Sequence, residues 1–170
     1  VGATVILIGI GLVYQMTGTL NMAGIAGRLP LEHGPRTVLV AFAFMTIGLF
    51  IKVAVFPLHS WLPNAYTYAP SVVTCFIAAT ATKVSVYALL RIVFSIFTMQ
   101  FAFEQLPLRT ALMVLALVGI FAASTAAVFQ DNVKRLLAYS SIAQIGYILL
   151  GISMANQAGL TAGISHMFNH

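Results

Sequence analysis

Carboxylates are almost missing from this chain. Asp and Glu together number 3 among 170 residues, and charged residues of both signs make up 6%. A soluble domain carries about 25% charged residues, so a water-exposed globule is excluded. Cysteine is nearly absent too. The single Cys75 cannot form an internal disulfide, and inside an apolar segment it reads as a small core residue. No grouping of Cys, His and Glu supports a metal, a redox centre or another cofactor. Polar stretches are short. The 8 Lys and Arg are scattered among apolar segments with no basic patch of interleaved aromatics, which excludes a nucleic-acid partner.

What is present is hydrophobic. Apolar residues make up 61% of the chain, and the mean hydropathy is +1.01. The apolar runs are continuous instead of alternating, so they suit membrane helices and not a barrel. The expected fold class is all-α: a polytopic transmembrane helix bundle with the lipid bilayer as its first partner.

Residues 1–16 form an apolar run shorter than the about 20 residues a crossing needs. The chain starts inside that run at Val1 and stops at His170 without a polar tail, so the expectation is a piece of a protein that is longer at both ends. Thr17, Gly18 and Thr19 stop the first helix. Residues 20–29 suit a short interfacial helix with Leu20, Ile25 and Leu29 near one face. Pro30 to Arg36, with Glu32, His33 and Gly34, reads as an aqueous loop. Spans are expected at 37–56, 71–98, 110–129 and 136–152, with a loop at 99–109, a polar turn at 130–135 and a last helix beginning at 158. That makes six crossings, the first and last incomplete. Arg28, Arg36 and Arg109 on one side against Lys134 and Arg135 on the other do not decide the orientation.

The polar residues inside these spans carry the functional reading. Lys52 lies about 22 Å into its helix if the span starts near Thr37, and a desolvated lysine can release and recapture a proton. Anchoring at a helix end is the plainer alternative. Pro57 then breaks the helix, because it lacks a backbone donor and crowds the preceding turn. A broken helix with a buried charge beside it is a common build for an ion path. The segment from His59 to Pro70, with Trp61, Tyr66 and Tyr68, fits an interfacial belt or a re-entrant stretch. Lys83 sits near the middle of the next span, with Thr80 and Tyr87 on its helical face to hold a water or share its proton. No carboxylate lies in any span, so an acid partner is expected in another segment or subunit.

His166 and His170 are four apart and share one face. A proton relay suits them, since histidine titrates near neutral pH; interhelical hydrogen bonding is the alternative. His59 beside the break is either a further relay residue or a plain interface residue. Ser141 and Gln144, in a polar stripe with Tyr139, Ser140 and Tyr147, either line a water path or bond between helices. Lys134 and Arg135 read as topology anchors.

Four motifs then bear a family resemblance. They are Lys52 followed by Pro57-Leu-His59-Ser-Trp61-Leu-Pro63; Lys83-Val-Ser-Val-Tyr87-Ala-Leu-Leu-Arg91; Asn132-Val-Lys134-Arg135-Leu-Leu-Ala-Tyr139-Ser140-Ser141-Ile-Ala-Gln144-Ile-Gly146-Tyr147; and His166-Met-Phe-Asn-His170. Together they resemble the antiporter-like membrane subunits, a family that includes members from Mrp-type cation/proton antiporters and the proton-pumping subunits of respiratory complex I. The resemblance implies a fold of about fourteen helices with two inverted five-helix repeats. Residues 1–170 would be one transmembrane fragment, the end of the first repeat at about 1–98 and the start of the second at about 110–170.

On that resemblance Lys52 matches the lysine beside the first broken helix, which pairs with a glutamate outside this chain. Lys83 matches the lysine linking two half-channels, and His166 and His170 match relay histidines. The turn at Lys134 would face the cytoplasm. Asn64 and Asn132 stand where many members have Asp, and Ser71-Val-Val-Thr74 departs from the Thr-Pro-Val-Ser run of complex I members, which points to the Mrp-like branch. The implied function is proton translocation within a monovalent cation/proton antiporter of a bacterial cytoplasmic membrane, with Na+ or K+ exchanged and other membrane subunits as partners. Two alternatives stay open: a pump subunit of an NADH:quinone oxidoreductase or related membrane hydrogenase, with the redox enzymology elsewhere, and a structural membrane scaffold.

Overall fold

A computed structural model describes residues 1–29 and 36–170. The expected aqueous loop at 30–36 thus lies, but for Arg36, outside the described residues. Every regular element among them is helical: α1 (Gly2–Thr17), α2 (Met22–Arg28), α3 (Arg36–Val53), α4 (Trp61–Tyr68), α5 (Ser71–Ser95), a π-helical turn at Phe101–Gln105, α6 (Leu108–Val128), α7 (Val133–Ser153) and α8 (Gln157–Asn169). Four of these, α3, α5, α6 and α7, are long and apolar enough to cross a membrane, and a fifth crossing results if α1 and α2, bent by 57°, count as one. The six crossings expected from the sequence, with the first and last incomplete, correspond to α1, α3, α5, α6, α7 and α8 among the described residues. At 16 and 13 residues, α1 and α8 fall short by themselves.

The helix boundaries follow local chemistry. Gly18 closes α1 in the left-handed region at φ 67° and donates its N–H to the Tyr14 carbonyl, a conformation that costs glycine nothing. Asn132 and Asn156 cap α7 and α8 with their side-chain oxygens. An N-cap needs only such an oxygen, so Asn at 132 serves that end of α7 as Asp would.

The break in the third helix comes earlier than its proline. α3 ends at Val53, four residues before Pro57, and Ala54 follows at φ 65°. A proline ring clashes with the carbonyl four residues before it, which here is that of Val53. The expectation of a break at Pro57 thus identifies its cause and misplaces its start.

The chain divides into two units. The first comprises Val1–Lys52 and Val84–Leu106. Its core holds the rings of Phe42, Phe97 and Phe101, with centroids 4.9 Å apart for Phe42–Phe97, 5.8 Å for Phe42–Phe101 and 5.9 Å for Phe97–Phe101. Phe101, Ala102 and Phe103 are buried in the π-helical turn, whose Leu106 N–H donates to the Phe101 carbonyl. The loop expected at 99–109 is therefore partly helical. Burial of two aromatics outweighs the turn signal of Glu104, Pro107 and Arg109. Ile25 and Leu29 are buried as expected for one face of α2, whereas Leu20 is 65% exposed, because it precedes the Asn21 cap and lies outside the helix.

The second unit comprises Val53–Lys83 and Pro107–His170. Ala54, Leu62, Tyr66, Ala123, Ala138, Ile142 and Ala143 form its core, with Ile77, Ala78 and Tyr139 packed against it. Ala123 of α6 and Ala138 and Ala143 of α7 let helices approach closely where no water drives their association. Cys75, expected in a core, is exposed.

Candidate functional site

The second unit gathers most of the candidate residues. α5 carries Lys83 half-buried, and its ammonium donates to the Ala78 carbonyl at 2.9 Å. Thr80, expected to share a water with it, instead donates its hydroxyl to the Phe76 carbonyl at 2.8 Å. Tyr87 is exposed. The lysine is thus held by backbone on its own helix and not by the two side chains expected to serve it.

α7 and α8 build the next part. They approach so closely that a Cβ on Gly151 would lie 2.8 Å from the Gly159 carbonyl oxygen and 3.0 Å from the Gly163 backbone. This lets His166 on α8 reach Gln144 on α7, with Nε2 and Oε1 2.6 Å apart. An amide oxygen only accepts, so Nε2 carries the hydrogen and Nδ1 of the neutral ring remains as the proton acceptor. The Tyr147 ring meets that imidazole edge-on at 5.8 Å. Together with Gly151, Ala162 and Gly163 they line an open cleft of about 300 Å³. His170 follows α8, its backbone N–H donating to the His166 carbonyl at 3.0 Å, within reach of the Lys83 charge.

His59 lies between the end of α3 and the start of α4. Its imidazole stacks on Phe56 with centroids 5.1 Å apart and meets Tyr139 of α7 at 6.2 Å, and Nδ1 is buried. Ser141 is half-buried on α7. Lys52 belongs to the first unit. It is the penultimate residue of α3 and is exposed on this chain, so the depth expected from the sequence does not translate into burial here. Lys52 stands in the last turn of α3, the helix end at which a cation is favoured.

Lys134 is more than a charge in a turn. Its Nζ donates to the Ala69 carbonyl at 3.0 Å, across 65 residues of sequence. Thr74 Oγ1 lies 3.0 Å from the Tyr66 carbonyl oxygen and 3.3 Å from that of Ala69. Neither contact has a sequence signal, because the acceptor is backbone that every residue carries. Arg135 beside it has its Nε buried.

The family described as NADH:quinone oxidoreductase/Mrp antiporter, transmembrane, matches residues 1–170. An NADH-quinone oxidoreductase subunit N from Desulforudis audaxviator is 44% identical over 164 residues, covering 96% of this chain and 32% of the relative. A protein of the same name from Mycobacterium bovis is 40% identical over 166 residues, covering 95% of this chain and 30% of its own. Among solved structures, the Mrp complex from Dietzia sp. DQ12-45-1b superposes on 99% of this chain and 30% of the matched chain, with a TM-score of 0.88 and 33% identity. The chain thus spans about a third of the length of the relatives it matches.

Proposed function

This chain belongs to the NADH:quinone oxidoreductase/Mrp antiporter transmembrane family, and on that premise we propose that it is a proton-translocating segment of an integral membrane subunit. The carrying observation is the cluster in the second unit. Lys83, His166 and His170 are side chains of proton-exchanging types, with His166 Nε2 fixed 2.6 Å from Gln144 Oε1 and His170 one turn further on, within reach of the Lys83 charge. Such groups titrate as a coupled set, so one proton's arrival changes the hold on the next. Lys52 enters as the first acceptor, its charge balanced by an acid outside this chain. His59, Ser141 and Tyr87 are secondary members of the path. Residues 1–98 and 110–170 belong to successive inverted repeats in this reading.

The 44% identity to a subunit N favours a parent that is a pump subunit of an NADH-quinone oxidoreductase in a bacterial cytoplasmic membrane. Its redox chemistry takes place in other subunits. A second reading, cation/proton antiport with Na+ or K+, draws on the likeness to the Mrp complex.

Inverted vesicles holding the full parent assembly test both. Acidification on adding NADH and quinone supports the pump, and acidification driven only by a Na+ or K+ gradient supports the antiporter. Lys52→Met is expected to abolish whichever flux appears. Full flux in both Lys52→Met and Lys83→Met, with assembly intact, ends the relay reading.

Gln144 tests the histidine arm separately. Gln144→Leu removes the acceptor that holds His166 Nε2–H and frees the ring to turn. Loss of the partner that orients a metal-bound histidine lowers activity roughly 10-fold to 100-fold, and the low end of that range, a fall of about tenfold in flux at saturating driver, is expected for this unmetallated ring. Gln144→Glu, which keeps an acceptor, should retain most of it.

A further inference from the structure

We propose that Lys134 is a positioning residue: it clamps the C-terminal end of α4 to the first turn of α7 and thereby sets His59 against Tyr139.

α4 has 8 residues, too few to hold a helix by its own hydrogen bonds. Its stability must come from its surroundings, and both of its ends are tied. At the C-terminal end the chain turns extended at Ala69, and the freed carbonyls need donors. Thr74, from the start of α5, brings one hydroxyl hydrogen within reach of the Tyr66, Ala69 and Pro70 carbonyls, and it can donate to only one of them at a time. Lys134 adds an ammonium to the Ala69 carbonyl at 3.0 Å, at the helix end where positive charge is favoured.

The clamp has a rigid base. Asn132 Oδ1 accepts from the Lys134 and Arg135 amides at 2.9 and 3.4 Å, so the Lys134 backbone is fixed as α7 begins. Between the two ties, Leu62 and Tyr66 of α4 share a core with Ala138 and Ile142 of α7. Beyond α4's other end, His59 meets Tyr139, five residues along α7 from Lys134. Releasing one end of so short a helix lets the segment pivot and removes the constraint on His59. The charge of Lys134 is thus engaged by protein backbone, beyond any part it plays in topology.

Hydrogen–deuterium exchange across residues 61–74, with the parent assembly intact in detergent or nanodiscs, reads the clamp directly. Lys134→Met is expected to speed exchange there roughly tenfold or more, since a charge-assisted bond to a carbonyl is lost, and to lower proton flux. Lys134→Arg keeps a cationic donor and should return both toward wild type. Unchanged exchange in Lys134→Met overturns the clamp, whatever happens to flux. So does equal acceleration in Lys134→Met and Lys134→Arg. Should Lys134→Met fail to assemble, Lys134→Gln, a shorter neutral donor, provides the same comparison. The flux half rests on the proton-path reading and the exchange half does not, so failure of the clamp and failure of the path are separately visible.

Discussion

Replacing Lys83 with methionine is expected to cut proton flux through the parent assembly roughly a hundredfold, the lower range of what a positioned proton-transfer group contributes, while assembly survives. Lys83 stands twelve residues from either end of the 25-residue α5, about 18 Å of helix in each direction, so its charge cannot leave the bilayer along its own helix. Such a residue is costly and is kept where it serves a path. Methionine fills a similar volume with a flexible apolar chain and preserves packing. The decisive companion is Lys83→Arg. Guanidinium remains protonated throughout the accessible pH range, so it supplies the charge without the ability to let a proton go. A relay predicts that Lys83→Arg is nearly as inactive as Lys83→Met. A purely structural or lipid-facing charge predicts near wild-type flux from Lys83→Arg. Dye-quenching assays in inverted vesicles at matched assembly distinguish the two, and an active arginine variant removes Lys83 from the proton path.

The helices are legible because apolar length and continuity report the bilayer directly. Their fine structure is less so. Pro57 is visible as a breaker, yet α3 ends at Val53 because the clash falls on the carbonyl four residues back. The turn at Phe101–Gln105 is too short for a periodicity to read, and proline and charge beside it imitate a loop. At the site, His166 and His170 announce themselves by residue type and spacing. The partner of His166 does not. Gln144 lies 22 residues away on another helix, and its place in a polar stripe allows both a water path and an interhelical bond. Only the packing of α7 on α8 selects the second. Lys52 shows the reverse limit: its depth can be counted from sequence, but the early end of α3 leaves it in the last turn, exposed on this chain.

That packing carries the other large effect, for which Gly151→Ala is the sharpest test. By helix propensity alone the change should stabilise, since alanine is favoured over glycine in a helix interior by about 1 kcal/mol. The added methyl would lie 2.8 Å from the Gly159 carbonyl oxygen and 3.0 Å from the Gly163 N and Cα. All three are backbone atoms of a regular helix, which cannot turn aside as a side chain does. α8 must move as a whole, and overpacking of this kind costs about 1–3 kcal/mol, enough to reverse the sign. The same movement draws His166 from Gln144, whose 2.6 Å contact leaves little slack for a shift of α8. The expected result is a lower melting temperature of the detergent-solubilised parent together with a flux as low as that of Gln144→Leu. Combining the two substitutions should then add little further loss of flux, because both break one contact. A Gly151→Ala protein that melts higher and pumps normally would show that α7 and α8 have room between them, and that the histidine arm does not depend on their close approach.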